Sequence, residues 1–307
     1  MDRTSRSTIH DHRREPDNRI HNRAPILVIL VEMLQQLDFG KVPFGGIGKV
    51  VLAENSITSR QYAVKIISKR ALLAGNAEAD VLVEHRVLQQ ASGSPFIVQA
   101  AFAIQTETKH NKVSCVYFRI LQTLLFSLLR FYAAELVCGI QYLHSKGIIH
   151  RDLKPGNILV AETGHVKITD FDLSLENMQD RTATQYAGTV GYMAPEMLAK
   201  EEYNTGVDWY SFGVILNKMI TGQREYDPTL FNETSSGASD IIKQLLLEDP
   251  AKRLGVNEDI RKHHFFQSID WVSVETLRMP PPHVPVPTKT LHKPRKFDLE
   301  MMEGEEA

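Results

Sequence analysis

The chain has 307 residues, enough for one large two-lobed domain or two small ones. Its 43% hydrophobic and 23% charged residues supply a core and a soluble surface. A formal net charge of −2 gives no electrostatic case for nucleic acid or a membrane surface. Two cysteines, Cys115 and Cys138, lack a CxxC partner. They fall short of the about four ligands of a structural zinc site and read as buried free thiols in a reducing compartment.

Residues 1–24 are polar and Arg-rich, and a disordered tail is expected over 1–35. Residues 25–36 fit either a short helix or a strand leading into a sheet. The run Ile26 to Val31 is too short to span a membrane and has no small-residue cleavage site behind it. The expected location is cytoplasmic, with the basic leader leaving the nucleus open as well.

The pattern then turns to strands, Lys49 to Ala53 and Gln61 to Ile67, with a turn between them. Val83, Val87 and Leu88 surround Glu84 at helical spacing. Leu129, Ala133, Leu136, Ile140 and Leu143 mark an amphipathic helix over Leu125 to His144, stopped by Gly147. Short apolar strands flank a polar loop at 148–170. Val207 to Met219 is apolar on nearly every face and predicts a buried helix. Residues 237–254 read as another helix, ending near Asp249-Pro250. Six prolines in 280–296 predict an extended segment across a surface. A strand-rich part followed by a helix-rich part fits an α+β fold of two lobes, about 36–118 and 119–266, with a tail from 267 to 307.

The strongest chemical signal is His150-Arg151-Asp152-Leu153-Lys154-Pro155-Gly156-Asn157. Phosphoryl transfer needs a carboxylate to orient the attacking hydroxyl and take its proton, a cation at the phosphate, and a ligand for a metal ion. Asp152, Lys154 and Asn157 offer those three groups on one loop. Asp170-Phe171-Asp172 follows, delivered by the strand Val166 to Ile168. Asp170 there suits Mg²⁺ held against the β- and γ-phosphates of ATP. Tyr62-Ala63-Val64-Lys65 sets a lysine on a strand, 19 residues before Glu84. That lysine suits the α- and β-phosphates, with Glu84 as its ion-pair partner. Ala194-Pro195-Glu196 would close the following segment, with Glu196 paired to Arg253, and Asp208 would brace the catalytic loop.

Taken with Val83 to Leu88, Arg130 to Glu135, Leu143 to Gly147 and Val207 to Gly213, these motifs resemble a protein kinase of the AGC group, and within it the protein kinase C catalytic domain. The resemblance covers about residues 39–300. It implies a bilobal kinase fold, ATP and Mg²⁺ as cofactors, and transfer to Ser or Thr hydroxyls of protein substrates. By position it implies nucleotide contacts from Gly45, Gly46, Gly48, Val50, Ala63, Lys65, Leu159 and Thr169. Asp152, Lys154, Lys65 and Glu84 become the catalytic set, and Asn157 and Asp170 the metal ligands. Lys296-Phe297-Asp298 resembles the AGC tail that returns to the nucleotide cleft. The resemblance implies a monomer without nucleic acid partners. Without cysteines for zinc-bound lipid-sensing domains, no direct lipid or diacylglycerol response is expected.

The chain also departs from that pattern. Pro43 stands where the glycine-rich loop has its first glycine, and the hinge between Thr106 and Leu129 is shortened. Asp172 replaces a glycine expected at positive φ. Gln185 stands where the family carries an activating phosphothreonine. Gly156 and Lys218 stand where it carries substrate-binding acids. These departures keep an alternative in view, a pseudokinase that binds partners without turnover.

Overall fold

The computed structural model describes residues 30–32, 48–55, 61–68, 78–99, 104–105, 109–111, 126–231, 236–285 and 295–297. Pro43, Gly45, Gly46, residues 112–125 of the shortened hinge stretch with Cys115, and Asp298 lie outside the described residues.

The N-terminal sheet is built on two long strands, β2 (Gly48–Asn55) and β3 (Gln61–Ser68). Their β-branched and aromatic residues favour a pleated surface. They pair antiparallel, from Gly48 opposite Ile67 to Glu54 opposite Gln61. The other edge of β3 is shared. Strand β1 (Leu30–Glu32) lies against Tyr62 to Val64, so the described part of 25–36 is strand, and these three residues join the sheet. Two further strands, β4 (Ile104–Gln105) and β5 (Lys109–Asn111), form a hairpin whose β5 pairs with Ile66 to Ser68.

Helix α1 (Glu78–Gln90) follows the sheet and buries Val87 and Leu88. The chain beyond it crosses to the second lobe: Phe96 and Val98 exchange backbone hydrogen bonds with Ile168.

Helix α2 (Phe126–Ser145) turns the predicted stripe inward, and Leu129, Ala133, Leu136, Ile140 and Leu143 are all buried. It ends where Gly147 takes φ 69°. Gly147 N–H then bonds His144 O at 2.9 Å and Ile148 N–H bonds Leu143 O at 3.0 Å, closing the left-handed helix terminus that glycine permits. The short hairpin β6 (Ile158–Val160) and β7 (Val166–Ile168) packs on α2. Helix α3 (Pro195–Leu198) precedes α4 (Gly206–Thr221), which is buried along most of its length as its sequence predicted.

Helix α5 (Ser236–Leu245) stops a turn before the expected end near Asp249-Pro250. Pro250 has no N–H to continue a helix, and the Asp249 carboxylate instead accepts Ala251 N–H at 3.0 Å, starting a separate 3-10 turn over Pro250–Lys252. Helix α6 (Trp271–Glu275) packs on α2. Strand β8 (Arg295–Phe297) returns to the first lobe and pairs parallel with Ala53 to Asn55 of β2. The tail therefore comes back to the sheet that carries Lys65.

No helix among the described residues is long and apolar enough to cross a membrane. Cys138 is a buried free thiol, and burial pushes it up to about 12.

Candidate active site

The catalytic loop hangs from one carboxylate. Asp208, in the first turn of α4, is fully buried. Its Oδ2 accepts the N–H of His150 at 2.9 Å and its Oδ1 that of Arg151 at 2.9 Å. His144 Nε2 lies 2.9 Å from Oδ2. Burial opposes its charge, but the hydrogen bond from His144 and the His150 contacts outweigh that and hold the carboxyl below its ordinary value. With both backbone N–H groups fixed, Arg151 is held at φ 65°, a conformation costly for a residue with a Cβ. The expectation that Asp208 braces this loop is met.

The loop then presents Asp152. Its Oδ2 takes Lys154 Nζ at 2.6 Å and Asn157 Nδ2 at 3.2 Å. Its Oδ1 accepts the Thr189 hydroxyl at 2.6 Å, and Lys154 also reaches Thr189 Oγ1 at 2.7 Å. Asn157 Nδ2 further donates to Asp152 O at 2.9 Å. With its amide N–H groups directed at Asp152, its amide oxygen is the atom left to meet a cation. Thr189 is not among the site residues expected from the sequence. Its reach to Asp152 depends on Gly188 at φ 125°, where a Cβ would stand 2.6 Å from Arg151 O.

Strand β7 delivers the second carboxylate. It is pinned by Glu135 of α2, which accepts Val166 N–H at 2.8 Å and meets His165 Nδ1 at 2.5 Å. Thr169 is buried; its carbonyl meets His150 Nε2 at 3.0 Å and its N–H bonds Asn157 O at 3.0 Å. Phe171 packs against the His150 ring. Asp170 takes φ 68°. The positive φ expected at Asp172 thus falls on Asp170, so the lost glycine adds no left-handed strain at 172.

Lys65 joins the two lobes. Its ammonium lies 3.5 Å from Glu84, 3.2 Å from Asp170, and 2.7 Å from each carboxylate oxygen of Asp172. Burial would lower its pKa, but Asp172 and then Asp170 raise it, so the lysine stays charged. The Lys65 and Glu84 pairing is present, and Asp172 is a partner that the sequence reading did not assign. Arg86 of α1 meets Glu176 at 2.7 Å, tying that helix to the segment after Asp172.

Of the remaining nucleotide candidates, Gly48 and Val50 lie on β2 and Ala63 on β3. Val50 is in register with Lys65. Leu159 on β6 is fully buried.

The segment leading to α3 is fixed by a second buried ion pair. Arg253 donates to both oxygens of Glu196, at 2.6 and 3.0 Å, and to the carbonyls of Gly206 and Leu247. Arg151 reaches Leu173 O, Tyr203 Oη at 3.0 Å and Gln185 Oε1 at 3.4 Å. Gln185 therefore stands beside the catalytic-loop arginine, as its position in the sequence implied.

A strand-borne lysine paired to a helix glutamate, a carboxylate on a buried loop and a second carboxylate after β7 stand together, the set of groups that phosphoryl transfer needs. Residues 38–266 match the protein kinase domain, and the chain belongs to that family. It is 37% identical over 277 residues to the protein kinase C delta type of Rattus norvegicus, covering 82% of this chain and 41% of that protein. It is 36% identical over 280 residues to a probable serine/threonine-protein kinase of Dictyostelium discoideum, covering 83% of this chain and 61% of the other. It is 34% identical over 284 residues to RAC-beta serine/threonine-protein kinase A of Xenopus laevis, covering 83% and 58%. The chain thus spans between about two fifths and three fifths of the length of these relatives. They bear out the AGC resemblance.

Proposed function

We propose that the chain is a serine/threonine protein kinase that transfers the γ-phosphoryl group of ATP to protein hydroxyls. The observation that carries this reading is Asp152, with one oxygen on Lys154 and Asn157 and the other on the Thr189 hydroxyl. A carboxylate so held is ready to accept the proton of a Ser or Thr hydroxyl as its oxygen attacks phosphorus and ADP departs. Lys154 neutralises charge at the transferring group, and Lys65 offers a cation to the other phosphates.

Asp170 and the Asn157 amide oxygen form a hard, oxygen-only donor set that fits Mg²⁺. Bound there, the ion would neutralise phosphate charge. The names of the relatives support Ser and Thr as acceptors. Composition supports a cytoplasmic or nuclear setting. A scaffold without turnover is the second reading, and one feature favours it, the hold of Asp172 on Lys65.

The test is radiolabelled-ATP transfer to a generic Ser/Thr protein substrate with Mg²⁺. Asp152→Asn is expected to remove most incorporation while the thermal unfolding of the protein stays close to wild type. Equal incorporation by the two proteins would select the scaffold.

A further inference from the structure

We propose that Asp172 positions the phosphate-binding lysine and competes with nucleotide phosphate for it. The proposal rests on the phosphoryl-transfer reading above.

A lysine ammonium has three N–H donors and no acceptor. At Lys65 those donors have three hydrogen-bond acceptors: Asp172 Oδ1 at 2.7 Å, Asp172 Oδ2 at 2.7 Å and Asp170 Oδ1 at 3.2 Å. Glu84, at 3.5 Å, keeps an electrostatic contact outside the 2.7–3.2 Å span of a normal N–H···O bond. The donor set of the lysine is thus taken up by the two carboxylates that follow β7. A phosphate oxygen can bond this ammonium only by displacing one of them.

Charge acts in the same direction. Glu84, Asp170 and Asp172 offer carboxylate oxygens that all lie within 4.8 Å of one another. Three carboxylates this close together weaken the pull of the ammonium on a polyphosphate, and a cation bound beside them would restore it. A glycine at position 172 would remove one of the three charges and return two N–H donors to the lysine. The Asp172 side chain is 39% exposed against 12% for Lys65. Water screens the acid, so its effect is held to about tenfold in affinity rather than the far larger figure for a dry pair.

The experiment is calorimetric titration of the full chain with ATP and with adenosine, both in EDTA, so that divalent cations play no part. Asp172→Asn and Asp172→Gly should each bind ATP about tenfold tighter than wild type, with adenosine affinity unchanged. The gain should vanish when Lys65→Ala is added. Two variants are used so that a folding defect in one leaves the other to decide. Unchanged or weaker ATP binding in a folded Asp172 variant, an equal gain for adenosine, or a gain that survives Lys65→Ala would each overturn the proposal. If wild type binds ATP through Lys65 yet is indifferent to Asp172, only this proposal falls. If wild type binds no ATP even when Mg²⁺ replaces EDTA, the phosphoryl-transfer reading falls with it.

Discussion

Asp208→Asn is the sharpest test of how the catalytic loop is held. The change is isosteric, but one oxygen becomes an NH₂ group that donates. If that group takes the Oδ1 place, it faces Arg151 N–H, now 2.9 Å from an acceptor. If it takes the Oδ2 place, it faces both His150 N–H and His144 Nε2, each at 2.9 Å. In either orientation at least one buried backbone N–H loses its acceptor, at about 1–3 kcal/mol, and the remaining bonds lose their charge assistance. A total loss of about 3 kcal/mol in urea unfolding is expected. The strain at Arg151, φ 65°, would then relax. A shift of Asp152 by about 1 Å costs roughly a hundredfold in rate. The expected kinetic result is therefore about a hundredfold fall in kcat with little change in the KM for ATP, because Lys65 and its strand are untouched. The depressed Asp208 carboxyl adds a sign that can be checked. A folded-state pKa below the unfolded one gives stability that is present above the unfolded value and lost as pH falls through the folded value. The gap in stability between wild type and Asp208→Asn should thus be full near neutrality and close in acid. A variant that keeps wild-type stability, or one whose kcat stays within twofold, would refute this account.

Glu196→Gln should destabilise by about 3–5 kcal/mol in the same urea assay, because it strands a guanidinium that is fully buried. A loss under 1 kcal/mol would show that the carbonyl partners of Arg253 suffice. Phosphatase treatment should leave activity unchanged, since Gln185 already meets Arg151 at 3.4 Å. Loss of activity traced by mass spectrometry to Thr184 would count against this. A positional peptide library should show no selection for Arg two or three residues before the acceptor. Gly156 has no side chain to bind it, and the Lys218 ammonium, 3.2 Å from the Tyr192 hydroxyl, repels it. Strong Arg selection there would reverse that reading.

The two-lobed fold and most of the site were legible in the sequence because they depend on local pattern. Helical spacing placed the buried faces of α2 and α4, and β-branched runs placed β2 and β3. Asp152, Asn157 and Asp170 lie on short loops next to such elements, so their neighbourhood followed from spacing along the chain. Lys65 and Glu84 were paired by the distance between a strand and a helix. Contacts between distant segments were not legible in the same way. That Thr189 would close on Asp152 depends on a glycine turn pressed against Arg151. The positive φ of the turn after β7 falls on Asp170, because a single substitution at 172 does not decide how the turn distributes its strain. The hold of Asp172 on Lys65 joins residues 107 positions apart. Hydrogen-bond donors are a limited local resource, and only the folded chain decides which acceptors reach them first.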